Sequence, residues 1–197
     1  MSNHSVITPQ EPPNALSKLG VFSAPSVVKI EPLLIIVILL IAAAFRLIAL
    51  NDVPPGLHHD EVIIGQEAKD ILSGHLSIYF VGGYGQEPLY HYLTAGLFAF
   101  IGANAFVLRL GSAFTALIGL AITYRFTRKL FSPTVAIGTL AWMSISLWPI
   151  FFSRVGLRGI TLPVLTTMTA YFLWRALNGG RTKQYIFAGA FLGLSIY

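Results

Sequence analysis

Two acidic clusters in the first half of the chain contain the residue types of a general base. The first, His58 and His59 followed by Asp60 and Glu61, comes directly after a proline-rich turn at residues 54–56. A carboxylate within hydrogen-bond reach of an alcohol can take its proton as the oxygen attacks. Asp60 and Glu61 are therefore candidate catalytic residues.

The same carboxylates have a structural interpretation. Aspartate is a preferred helix N-cap and glutamate is favoured in the first helical turn, because both interact with free amide groups. On the local pattern alone, capping is the favoured role for Asp60 and Glu61. A zinc site made of His58, His59 and Asp60 is disfavoured, since the usual ligand spacing is missing.

The second acidic cluster centres on Glu87, which Tyr90 and His91 follow. Pro88 suits the first position of a helix, so capping is again the alternative role for Glu87. The chain has no cysteine, which excludes disulfides, thiolate zinc sites and cysteine nucleophiles.

The composition identifies the environment in which these residues must act. Hydrophobic residues make up 55% of the chain and charged residues 11%, against about 25% charged residues in soluble proteins. The net charge of +5 comes from basic residues scattered between apolar runs. It therefore indicates membrane topology and not a nucleic-acid-binding surface.

Four apolar segments approach the roughly 20 residues that cross a bilayer; they are residues 33–50, 105–124, 130–150 and 161–177. A fifth begins at Gln184 and is still apolar at Tyr197. We predict an all-α integral membrane bundle of about five transmembrane helices, the last incomplete, and expect a fragment of a longer enzyme. Residues 1–32 are predicted to be a flexible cytoplasmic tail; a cleaved signal peptide is disfavoured because the segment before the apolar run is too long.

The topology follows from the positive-inside rule. If residues 88–103 form a juxtamembrane helix that does not cross, the basic residues after the second crossing share a side with those of the tail. Residues 33–197 then form one transmembrane module in the plasma membrane, with outer loops at 51–104 and 151–160. Within the first loop, residues 61–73 carry one apolar stripe at helical spacing, which predicts an amphipathic helix on the membrane surface.

This topology places four arginines near the outer membrane face. Arg46 and Arg109 lie about one turn inside their crossings, and Arg154 and Arg158 lie in the second outer loop. A single arginine at this depth most often only extends toward the interface. Basic residues in outer loops oppose the positive-inside trend, however, so Arg154 and Arg158 predict an anionic partner such as a lipid phosphate.

Four short stretches then follow one another in a recognisable order: Asp60-Glu61, Leu72-Ser73-Gly74, Glu87-Pro88-Leu89 and Arg109-Leu110-Gly111-Ser112-Ala113. Their order resembles the GT-C superfamily glycosyltransferases of family 39, which include protein O-mannosyltransferases and lipid A aminoarabinose transferases. The resemblance covers residues 46–197. Two departures are the absence of an acidic residue in the second outer loop and a proline after Glu87, where a lysine often follows.

The resemblance implies inverting transfer of a hexosyl or pentosyl group on the outer membrane face. The donor would be a polyprenyl-phosphate sugar, and the acceptor a hydroxyl group of a protein, lipid or glycan. Asp60 matches the acidic residue that acts as general base or orients the acceptor. Glu61 and Glu87 match neighbouring acidic positions, with His59 and Tyr90 beside them, that position the acceptor or a divalent ion.

The resemblance also implies that Arg109, Arg154 and Arg158 neutralise the departing lipid phosphate. A non-catalytic membrane subunit, or a truncated and inactive relative of the same fold, is the alternative function. A transporter is disfavoured, because the sequence shows no paired broken helices and no charges at the bilayer midplane.

Overall fold

The computed structural model describes residues 25–82 and 85–196, with side chains from residue 30 onward. Within these residues the backbone forms eight α-helices, and the only β-pairing is one isolated bridge between Phe80 and Gln86. The helices are α1 Pro25–Leu47, α2 His59–Leu72, α3 Leu89–Ile101, α4 Ala105–Leu130, α5 Pro133–Ile145, α6 Leu147–Arg154, α7 Thr161–Leu177 and α8 Thr182–Ile196.

Helices α1 and α4 form an antiparallel pair, and α4 contacts most of the other described helices. Their 23 and 26 residues give lengths of about 35 and 39 Å, enough for a hydrocarbon core of about 30 Å. At one end Arg128 Nη2 donates to Glu31 Oε2 at 2.8 Å, and at the other Arg109 Nη1 donates to the Leu50 carbonyl at 3.3 Å. The chain between α1 and α4 therefore leaves and returns at the same end of this pair.

The predicted third crossing, at residues 130–150, is wrong in its boundaries. Helix α4 continues to Leu130, α5 begins at Pro133, and α5 and α6 meet at Ser146 with a bend of 56°. Pro149 has no N–H to donate to the Ile145 carbonyl, which favours a bend or break in the helix just before it. The chain restarts as α6, which holds Pro149 in its first turn.

The described helices confirm an all-α membrane protein. By length and apolar composition α1 and α4 can each cross a bilayer, and the bent α5–α6 pair makes a third candidate. Helix α7 has 17 residues, somewhat fewer than the roughly 20 of a typical crossing. Of the predicted tail, residues 1–24 lie outside the described part, and residues 25–32 belong to α1.

Helices α2 and α3 form a compact layer against the start of α4. The apolar stripe of α2, predicted to rest on the membrane, is instead buried against protein. The cluster of buried residues in this layer comprises Ile64, Ala68, Ile71, Phe80, Tyr90, Ala95, Phe98, Val107 and Leu108. Helix α3, with 13 residues, is only about 20 Å long, which is too short to cross unaided.

Candidate functional site

Glu61 and Arg109 form a fully buried ion pair between α2 and α4. Both residues are at most 1% exposed, and Arg109 Nε lies 3.0 Å from Glu61 Oε1. The backbone N–H of Gly156 donates to the same oxygen at 2.9 Å, and that of His58 to Oε2 at 2.8 Å. Burial raises the pKa of the Glu61 carboxyl, but these hydrogen bonds outweigh it and hold the pKa below its ordinary value.

Arg109 uses every N–H group of its guanidinium in this arrangement. Besides Glu61, it donates to the carbonyls of Leu50 at 3.3 Å, Pro54 at 2.8 Å and Gly56. It therefore ties the segment after α1 to the first turns of α4. The structure places Glu61 and Arg109 in this scaffold, and no donor of Arg109 remains for the lipid phosphate that the resemblance assigned to it.

Asp60 has a different environment from its neighbour. The N-cap of α2 is His58, whose Nδ1 accepts the Asp60 backbone N–H at 3.3 Å, and Glu61 completes the capping box. The predicted capping role is therefore confirmed for Glu61 and wrong for Asp60. The Asp60 side chain is 48% exposed, with Oδ2 3.9 Å from His58 Nδ1, and His59 beside it is also exposed.

Glu87 and Arg158 form a second, half-exposed ion pair. It joins the segment before α3 to the short 3₁₀ turn Arg158–Ile160 that precedes α7. Arg158 Nη1 also donates to the Gly85 carbonyl at 3.3 Å. Together with the Glu61–Gly156 hydrogen bond, this pair brings the two predicted outer loops into contact. Tyr90 lies behind the pair in the core, and its hydroxyl donates to the Leu108 carbonyl at 3.3 Å.

Arg154 caps the C-terminal end of α1. Its Nη1 donates to the Phe45 carbonyl at 2.8 Å, and its Nη2 donates to the carbonyls of Ala49 at 3.0 Å and Val53 at 2.9 Å. A guanidinium at this position complements the dipole of α1 and ties the end of this helix to the segment that follows it. These contacts give Arg154 a structural role that the sequence did not indicate.

Arg46 is fully buried at the edge of an apolar cavity of about 530 Å³ between α1, α4, α5, α6 and α7. It donates to the carbonyls of Ala42 at 3.0 Å, Ser144 at 3.2 Å and Met143 at 3.3 Å. The cavity walls include Trp148 and other apolar side chains. Arg46 therefore lies inside protein, and does not extend toward the membrane interface.

His91 and Glu67 make a buried contact that sequence reasoning missed. His91 Nε2 lies 2.8 Å from Glu67 Oε2, and His91 Nδ1 lies 3.0 Å from the Glu87 carbonyl. Burial raises the pKa of Glu67 and lowers that of His91, so both side chains are shifted toward their neutral forms.

A divalent ion does not fit the acidic residues of this site. The described residues contain no group of three or more histidine, cysteine or acidic side chains that could hold one. Glu61 and Glu87 are instead each paired with an arginine.

A family model described as dolichyl-phosphate-mannose-protein mannosyltransferase matches residues 86–197, which is more than half of the chain. No curated protein and no solved structure matches the chain. The helical bundle and the family match together define a membrane glycosyltransferase of the GT-C type. The chain belongs to the dolichyl-phosphate-mannose-protein mannosyltransferase family, which confirms the resemblance to family 39.

Some of the candidate site residues lie inside the region that matches the family model, and others precede it. Glu87, Tyr90, Arg109, Arg154 and Arg158 lie inside it. The acidic pair that opens α2 precedes it, so the roles of that pair rest on geometry alone.

Proposed function

We propose that this membrane glycosyltransferase transfers a sugar from a polyprenyl-phosphate donor to a hydroxyl group of a protein or glycan acceptor, with Asp60 as general base. The observation that carries the proposal is the contrast between two adjacent carboxylates. Glu61 is buried and fully bonded, whereas the Asp60 carboxylate is half-exposed at the start of a helix anchored by Glu61. The name of the family supports a lipid-phosphate donor.

In the proposed reaction the acceptor oxygen attacks the anomeric carbon while its proton passes to Asp60. The bond between that carbon and the phosphate oxygen breaks, and its electron pair leaves with the lipid phosphate. Attack from the face opposite the leaving group inverts the anomeric configuration. An exposed carboxylate suits this step, because the acceptor must approach from outside the bundle.

Arg158 is the arginine best placed to neutralise the leaving phosphate. Arg109 has no spare donor, and Arg154 is bound to carbonyls of α1 and of the segment that follows it. Nη1 is the only nitrogen of the Arg158 guanidinium that donates a hydrogen bond within the described part of the chain. The Arg158 side chain is 38% exposed. Arg158 and Glu87 also line a cavity of about 260 Å³ beside α7 and α8. A guanidinium with free N–H groups can bind a phosphate through two parallel hydrogen bonds.

The decisive experiment compares two carboxylates of the same loop. Membranes containing the full chain are assayed for transfer from radiolabelled polyprenyl-phosphate mannose to endogenous acceptors. We expect Asp60→Asn to lower the rate by about 100-fold or more, since it removes the base. Asp52→Asn, at another exposed acidic position, should leave the rate unchanged. Equal rates for wild type and Asp60→Asn would exclude this role.

We also propose that the acidic loop faces the outside of the plasma membrane. The positive-inside rule supports this orientation, because Arg125, Arg128 and Lys129 lie at the opposite end of α4. The chain has no native cysteine, so single cysteines report cleanly. Ser77→Cys should react with an impermeant maleimide in intact cells and Thr127→Cys only after permeabilisation; the reverse pattern would overturn the orientation.

A further inference from the structure

A cavity at the opposite end of the bundle from the acidic loop is lined by three cationic side chains. It has a volume of about 400 Å³ and lies where the C-terminal ends of α4 and α7 meet the start of α8. Arg125 and Lys129 come from α4, and Arg175 comes from α7. The Arg128–Glu31 pair lies at this same end of α4.

Two of these cations converge on one neutral oxygen. Arg125 Nε lies 3.4 Å and Arg175 Nη1 lies 3.5 Å from the hydroxyl oxygen of Tyr171. The two nitrogens are therefore within about 7 Å of each other, a separation at which like charges repel appreciably in a partly apolar environment. Arg175 also lies over the Tyr171 ring, 5.7 Å from its centroid. The fold thus holds two guanidinium groups close together at the cavity.

No carboxylate among the described residues lines this cavity. Its remaining lining residues are neutral: Tyr171, Trp174, Asn178, Gly179, Gly180 and Gln184. The nearby Glu31 is already bound to Arg128 and Tyr124. The C-terminal ends of α4 and α7 each supply about half a negative charge, which offsets only about one of the three positive charges.

We propose that this cavity binds the phosphate group of an anionic membrane phospholipid. Guanidinium groups bind phosphate oxygens in pairs, and basic pockets between membrane helices are suited to lipid headgroups. Trp174 supplies an indole, a group favoured at headgroup depth. Leu173 and Leu177 of α7 are exposed and offer an apolar surface to the acyl chains. This site is separate from the proposed sugar transfer and does not depend on it.

Binding of fluorescent phosphatidylglycerol to the purified full chain in neutral detergent tests the proposal. Each basic residue near an anionic lipid changes the affinity about five-fold, so Arg125→Gln combined with Arg175→Gln should weaken binding about 25-fold. The matched control combines Arg181→Gln with Lys183→Gln. It removes the same charge from neighbouring positions that do not line the cavity, and should change binding less than three-fold.

Competition distinguishes the sources of the phosphate. Unlabelled phosphatidylglycerol should displace the probe, whereas phosphatidylcholine and millimolar inorganic phosphate should not. Equal losses in the two double variants, or equal displacement by phosphatidylcholine, would overturn the proposal. If the Arg125 and Arg175 double variant does not fold, Lys129→Gln alone should weaken binding about five-fold, and unchanged binding in that variant counts against the site.

Discussion

Replacing Arg109 by methionine would leave the carboxylate of Glu61 buried without a cation. The remaining hydrogen bonds to Glu61 are the two from backbone N–H groups of His58 and Gly156. Removing one partner of a buried ion pair costs about 3–5 kcal/mol, because the other charge stays desolvated and unpaired. Three carbonyls also lose their donor, so we expect a cost near the upper end of this range.

The matched comparison is Arg158→Met, which removes the same side chain from the half-exposed pair with Glu87. Exposed ion pairs contribute about 0–1 kcal/mol. For a chain of this size 1 kcal/mol shifts the melting temperature by about 2–4 °C. Arg109→Met should therefore lower it by about 10 °C or more, and Arg158→Met by about 4 °C or less.

Thermal unfolding followed by tryptophan fluorescence in one detergent measures both shifts. Combining Glu61→Gln with Arg109→Met should recover part of the loss, since no charge is then left buried. If Arg109→Met does not accumulate, recovery of folded protein in the double variant provides the same information. A shift for Arg109→Met no larger than that for Arg158→Met would refute the assignment of Arg109 to the scaffold.

Two further predictions concern a buried histidine, His91, and a closely packed glycine, Gly156. Burial holds the pKa of His91 below its ordinary 6.5, so the unfolded chain binds a proton at this histidine more readily than the folded chain does. The contribution of His91 therefore makes stability fall as the pH drops below 6.5. His91→Gln should reduce the fall in melting temperature between pH 7.5 and 5.5, and an unchanged slope would contradict this. A Cβ on Gly156 would lie 1.7 Å from Leu108 Cδ2 in the core, so Gly156→Ala should destabilise the protein by about 1–3 kcal/mol. Gly159→Ala meets no atom within 4 Å and should be close to neutral in the same unfolding assay.

The sequence predicts those features that depend on local pattern. The stripe of α2 and the stop before Gly74 follow from spacing and from a glycine at positive φ, +99° in the structure. The surface against which α2 packs does not follow, because a layer of protein and a membrane present the same apolar face to a helix. The position of Glu67 on the buried face of α2 could have been predicted. Glu67 lies three residues after Ile64 and four before Ile71, so it shares their face of the helix.

The roles of the arginines could not be predicted from position along the chain. Counting charges predicts on which side of a membrane an arginine lies, but it does not predict which group the arginine binds. The partner of Arg109 is a carboxylate 48 residues away, and those of Arg154 are carbonyls more than 100 residues away. Such pairings depend on how the helices pack. Arg158, whose half-exposed guanidinium is bonded through Nη1 alone, retains the predicted role as a proposal.

Adjacent acidic residues at a helix start can serve two purposes at once. Successive side chains on an α-helix diverge by about 100°, so when Glu61 points into the bundle, Asp60 cannot. Glu61 bonds Arg109 and Gly156, which fixes the first turn of α2 to both α4 and the second loop. A reactive carboxylate requires rigid support close by, and here that support is the next residue. The sequence left capping and catalysis open as alternative roles for both residues. In the structure Glu61 caps the helix, and Asp60 is the residue proposed to accept the proton.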